Sequence, residues 1–238
     1  MSWTDKKALE QIIKLRDYYN ISSFIETGTF KGVNAAVHAN NFKTVITCEK
    51  IEEYYLESKK KLSSYKNIEL VHDDSVHFLS ELSRLIITEY ISPMVFIYLD
   101  AHFYDPTLKP EDRWVVIKEL QALKNLYTCV IAIHDFDCNG LGHLIYDGQN
   151  LNFELLKPYL YGVNPNFHFY GNTKETCDIL TKERVAAGEI PNLILDAVTD
   201  DNLTYVWSNE IKTYRGILYC TPTALDLTKF DLTPLEVK

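Results

Sequence analysis

Residues 94–100 read Met94-Val95-Phe96-Ile97-Tyr98-Leu99-Asp100, a run of large, mostly apolar side chains that stops at a carboxylate. Nothing in the run alternates with polar residues, so both faces of the segment are expected to be buried, as in a central strand of a parallel sheet. A second run has the same shape: Cys129-Val130-Ile131-Ala132-Ile133 is apolar throughout and ends at His134-Asp135. Between the two, Trp114, Ile117, Leu120 and Leu123 recur at helical spacing in a segment that starts near Glu111. Two buried strands joined by a helix form a parallel crossover unit.

The same alternation extends upstream. Ser23–Thr27, Thr44–Cys48 and Asn67–Val71 read as three further strands. Helical patterns separate them, over Val33–Val37, over Tyr54–Leu62 with Lys59-Lys60-Lys61 near its end, and over Val76–Leu85. Residues 1–20 read as an N-terminal helix that Thr4 can cap, with Ala8, Leu9, Ile12, Ile13 and Leu15 on one face. Five strands alternating with helices predict an open, doubly wound, Rossmann-like α/β fold with a mostly parallel sheet.

Downstream of Asp135 the pattern loosens. Gly140, Gly142 and Gly148 mark a loop, and Leu151–Leu160 reads as a helix stopped near Pro158. Residues 140–200 are expected to form an insertion on the substrate side. Leu203–Trp207 and Gly216–Cys220 predict a terminal antiparallel strand pair. With no repeat or linker, residues 1–238 read as a single domain.

Composition narrows the function classes. Lys and Arg number 24 against 33 Asp and Glu, a net charge of −9, which argues against a nucleic-acid backbone as partner. No apolar run is long enough to span a bilayer, and MSWTDKKALE lacks the apolar core of a secretory signal. Five cysteines without a CxxC pair argue against a disulfide framework or a structural zinc site. The expectation is a soluble cytoplasmic protein without a membrane partner; its oligomeric state stays open, a homodimer included.

Polar residues close each predicted strand: Glu26, Glu49, Asp73-Asp74, Asp100 and His134-Asp135. In open α/β sheets, ligands bind beyond these carboxyl ends. The first turn, Glu26-Thr27-Gly28-Thr29-Phe30-Lys31-Gly32, has GxxxG spacing and lacks the GxGxxG of dinucleotide binders. Glu49 follows Gly28 by 21 residues, a separation at which an acid can accept both hydroxyls of a ribose.

In order, ETGTFKG (26–32), Glu49, HDDS (72–75), YLDAHF (98–103) and IHDF (133–136) resemble the class I S-adenosylmethionine (SAM)-dependent methyltransferases, over residues 20–136. The resemblance implies that Gly28 and Gly32 flank the methionine part of SAM with Glu26 near its amino group. It further implies that Glu49 holds the ribose, that Asp74 and Ser75 contact the adenine, and that Asp100 also faces the cofactor. LDAHF and IHDF look like the small-molecule and sugar O-methyltransferases, which include catechol and macrolide-sugar enzymes. That likeness implies a small-molecule or sugar hydroxyl as acceptor and a divalent cation, Mg²⁺ or Mn²⁺, held by Asp100, His134 and Asp135. His134 departs from the oxygen ligands that Mg²⁺ prefers. Asp100, His102 and His134 are the candidate catalytic residues, the two histidines having the pKa of a general base. Two rivals remain: an NAD(P)-dependent oxidoreductase, because an acid 21 residues beyond the turn also suits a dinucleotide, and a non-catalytic binding protein that keeps the fold.

Overall fold

Strand β1 (Ser23–Thr27) is buried along its whole length and pairs in parallel on both sides, with β2 (Thr44–Glu49) and β4 (Val95–Leu99). The computed structural model describes residues 6–87, 94–101, 107, 109, 113–138, 145–146, 149–186, 198–200, 203–205 and 216–236. Strand β3 (Ile68–His72) extends the parallel set beyond β2, and β5 (Cys129–Ile133) extends it beyond β4. The uniformly apolar runs take the centre because only there are both faces covered. Side chains alternate between two cores: Ile25, Ile46, Ile97 and Ile131 pack on one face, and Phe24, Val45, Phe96 and Val130 on the other.

Helices α1 (Lys6–Tyr19), α2 (Val33–Ala39), α3 (Glu52–Leu62), α4 (Ser75–Ile87) and α5 (Val115–Ala122) fall between or before these strands as the periodicity predicts. Thr4, the expected cap of α1, lies outside the described residues. Among the described residues, no helix is long and apolar enough to cross a membrane.

The second half departs from the sequence reading in three ways. Pro158 lies inside helix α6 (Phe153–Val163) and does not stop it. Asn152 caps that helix by accepting the Leu155 N–H at 3.0 Å, and burial of Leu156, Leu160 and Val163 outweighs the one bond that proline removes. Residues 140–200 are not simply an insertion, because β8 (His168–Asn172) joins the main sheet and α7 (Lys174–Ala186) follows it. Finally, among the described residues of the expected pair, Leu203–Tyr205 and Gly216–Cys220 do not pair with each other. Strand β10 (Leu203–Tyr205) joins β6 (Ile145–Tyr146), β7 (Gln149–Asn150) and β9 (Val198–Asp200) in a four-stranded sheet.

Strand β11 (Leu218–Thr221), fully buried, lies antiparallel between β5 and β8, with β12 (Leu232–Pro234) on the far side of β8. An all-apolar run fits the middle of a sheet better than one arm of an exposed hairpin. The eight-stranded order is β12-β8-β11-β5-β4-β1-β2-β3, a mostly parallel doubly wound sheet with antiparallel strands at one end, as expected of the fold class. Strand order reverses between β1 and β4, and this switch point is where such sheets open a crevice.

Candidate active site at the carboxyl ends of the strands

At the end of β1, Glu26 is only 1% exposed. Thr47 Oγ1 donates to its Oε2 at 2.6 Å, and Asn34 Nδ2 donates to its Oε1 at 2.6 Å. The Thr29 hydroxyl in turn meets that of Thr47 at 2.6 Å. Burial pushes the Glu26 carboxyl up to about 8 even though both hydrogen bonds pull it down. The carboxyl is thus neutral at neutral pH and is poised to ionise when a cation arrives.

The turn beyond Glu26 needs its glycines. Gly28 has φ of +81°, and a Cβ there would lie 2.9 Å from Ala101 Cα and 3.0 Å from the Asp100 carbonyl oxygen. The first turn therefore packs directly on the backbone that leaves β4. Gly28 and Thr29 donate their N–H groups to the Cys48 carbonyl at 3.1 and 3.0 Å. Gly32 also has positive φ, +70°, and caps α2.

Glu49, at the end of β2, is buried and divides its carboxylate between two loops. Oε2 accepts the Phe30 N–H and Oε1 accepts the Ile51 N–H, each at 2.8 Å. Each oxygen retains a lone pair for a ligand hydroxyl. Beyond β3, Asp74 Oδ1 accepts the Val76 N–H at 3.0 Å, which closes the N-terminus of α4, and Lys50 Nζ reaches Asp74 Oδ2 at 3.0 Å. Burial raises the Asp74 carboxyl, but the Lys50 and Val76 bonds outweigh it and the net direction is down. Ser75 is buried beside it.

The ends of β4 and β5 meet across the switch point. His134, 2% exposed, places Nδ1 at 3.0 Å from Asp135 Oδ1 and 3.3 Å from Asp100 Oδ1. Burial alone would lower the imidazolium pKa; the two carboxylates outweigh it and hold it well above the ordinary range. Asp135 takes a left-handed φ of +56°, which aspartate tolerates better than most residues, and this turns its side chain back to His134. Asp100, His134 and Asp135 each offer a ligand atom within 4.8 Å of the others. Two half-exposed carboxylate oxygens and a nitrogen of the buried His134 form a set that suits a divalent ion such as Mn²⁺.

The sheet thus puts Glu26, Gly28, Gly32, Glu49, Asp74, Ser75, Asp100, His134 and Asp135 at or just beyond the ends of five adjacent parallel strands. His102 lies outside the described residues. Sequence reasoning missed Asn34 and Thr47. Thr47 stands opposite Glu26 in the β1–β2 register, a pairing that appears only once the two strands are aligned.

No protein-family model matches this sequence, and no curated protein matches it. Solved structures do. The chain is similar to the methyltransferase domain of bacterial CtHen1-C at 9% identity, over 90% of this chain and 96% of that one, with a TM-score of 0.50. It is similar to a Streptococcus mutans protein assigned as a methyltransferase and solved in complex with SAH, at 10% identity over 93% and 100%, TM-score 0.45. Its match to the 23S rRNA methyltransferase ErmE, at 20% identity and TM-score 0.35, takes in 55% of this chain and 46% of that one. At these identities the likeness is one of fold.

Proposed function

We propose that this chain is a cytoplasmic SAM-dependent methyltransferase that acts on a hydroxyl of a small molecule or sugar with the help of a divalent cation. The observation that carries this reading is the buried Glu26 carboxyl. It sits behind a glycine turn that packs on Asp100–Ala101, and one strand away stands a second cluster of two carboxylates and a histidine. Such a carboxyl suits the amino group of a cationic cofactor, and the second cluster suits activation of an acceptor oxygen.

In this reading Glu26 binds the cofactor ammonium, Gly28 and Gly32 leave room for its methionine part, and Glu49 accepts the ribose hydroxyls. Asp74 and Ser75 border the adenine. Bound SAM supplies a methyl group on a sulfonium, open to in-line displacement by an oxygen. A divalent cation on Asp100, His134 and Asp135 would lower the pKa of the acceptor hydroxyl. In the absence of the cation, the proton on His134 Nδ1 faces the two carboxylates, and a cation held by the three groups would take the place of that proton. That arrangement leaves His102 as the candidate to take the acceptor proton. Holding acceptor and cofactor in line supplies much of the rate.

Calorimetric titration of SAM tests the reading, followed by methyl transfer to a panel of catechols and sugars with and without EDTA. Glu49→Ala should weaken SAM by about 1.5–3 kcal/mol, the scale of a charged hydrogen-bonding group. EDTA should abolish transfer, Mg²⁺ or Mn²⁺ should restore it, and Asp135→Asn should mimic chelation. Binding of NAD or NADP in place of SAM would overturn the reading, and full transfer after exhaustive chelation would remove the cation from it.

A further inference from the structure

Glu26 ends a chain of hydroxyls. Thr47 and Thr29, 0% and 3% exposed, stand in line behind its Oε2, each step spanning 2.6 Å. Thr47 interrupts the apolar stretch Val45-Ile46-Thr47-Cys48 and faces Glu26 across the β1–β2 register. A buried hydroxyl there costs free energy unless it is hydrogen-bonded, and the partner it has is the carboxyl proposed to bind the cofactor ammonium.

Each hydroxyl has one hydrogen to give, so the chain can run in two directions. On the other side of the carboxyl, Asn34 Nδ2 donates to Oε1, and an amide nitrogen accepts nothing. A proton carried by Glu26 therefore sits on Oε2, facing Thr47. With the carboxyl protonated, Oε2 donates to Thr47 and Thr47 donates to Thr29. With the carboxylate ionised, Thr29 donates to Thr47 and Thr47 donates to Oε2. Both O···O steps stay bonded in either state, and passing from one to the other takes only hydroxyl rotations.

We infer that Thr47 is a positioning residue for the cofactor ammonium, a reversible partner that lets Glu26 keep its proton in the empty site and release it to solvent when the ammonium docks. The bond that breaks is the Glu26 O–H; the ammonium keeps its three protons, and Thr47 turns from acceptor to donor. Thr29 completes the device by taking the Thr47 hydrogen while the carboxyl is protonated. The inference rests on the proposed docking of SAM on Glu26.

Thr47→Val keeps the β-branched shape and removes the hydroxyl. Burial then acts on a carboxyl with one donor in place of two, so Glu26 ionises at higher pH. Calorimetry of SAM binding at pH 8, in buffers of different ionisation enthalpy, reads this as protons released. Glu26 should contribute about half a proton in the unaltered chain and close to one in Thr47→Val, with SAM bound about tenfold more weakly. The cofactor's own amine adds the same amount to each. Thr47→Ser should restore both values. Should Thr47→Val fail to fold, Thr29→Val carries the test: it strands the Thr47 hydrogen only while the carboxyl is protonated, so release should drop below that of the unaltered chain. Release in Thr47→Val equal to that of the unaltered chain, or release in Thr29→Val that is no lower, would overturn the role of Thr47 and leave SAM on Glu26. SAM that binds the unaltered chain at pH 7 without releasing a proton, or does not bind, would overturn both.

Discussion

Glu26 links stability to cofactor binding. In the unfolded chain its carboxyl titrates near 4.5, and in the folded chain near 8. Between those values the folded state holds the extra proton, so stability falls as pH rises from 4.5 to 8 and is level above 8. The span corresponds to roughly 5 kcal/mol, and a Glu26→Gln variant should lack this slope in urea denaturation run across the same pH range. If an ammonium docks on Glu26, the proton must leave. SAM titrated near pH 7 in buffers of different ionisation enthalpy should therefore report release of close to one proton, and an enthalpy independent of buffer would take Glu26 away from the cofactor amine. Thr47 and Asn34 hold this carboxyl from positions that sequence spacing does not announce.

At the scale of elements, α1 docks through a polar group on its buried face. Gln11 Oε1 accepts from Asn172 Nδ2 of β8 and from the Tyr219 hydroxyl of β11, each at 2.9 Å, while Gln11 Nε2 donates to the Asp231 carbonyl at 3.2 Å. Asn172 Oδ1 accepts the Ile217 N–H, so one network fastens the helix to both strands. Gln11→Leu would remove the acceptor of the buried Asn172 amide and of the Tyr219 hydroxyl and should cost roughly 1–3 kcal/mol, read as a lower urea midpoint. The apolar positions of α1 were legible because they repeat at helical spacing, but Gln11 reads as a break in that stripe. The first five strands were legible for the same kind of reason, β4 and β5 as apolar runs and the others as short strand-like runs between helical patterns, each closed by a polar residue. β8 was not, because Gly171-Asn172 looks like a turn. In the folded chain Gly171 is a packing residue: a Cβ there would press on Leu235 at 3.2 Å and on Cys138 Sγ at 3.4 Å. The partner of β11 was hidden as well, because pairing across the length of the chain leaves no local signal.

For the molecule as a whole, the antiparallel end of the sheet ties the late part of the chain to its middle. β11 lies between β5 and β8, and Gly216, just ahead of it, accepts the Phe136 N–H at 2.9 Å next to the His134–Asp135 corner. A Cβ on Gly216 would lie 2.6 Å from both the Phe136 carbonyl oxygen and Cys138 Sγ, so this closure tolerates no side chain. The arrangement has a consequence during synthesis. When β5 has left the ribosome its outer edge has no neighbour, and the strand that will cover it, Leu218–Thr221, is not yet made. At ordinary elongation rates the interval is roughly 4–17 s, during which an apolar edge is open to any other chain. Chains truncated before Leu218 should therefore aggregate when expressed, whereas the full chain stays in solution, and sedimentation of the two products would show it. The nascent protein depends on speed of completion, or on a chaperone, to keep that edge for its own last strands.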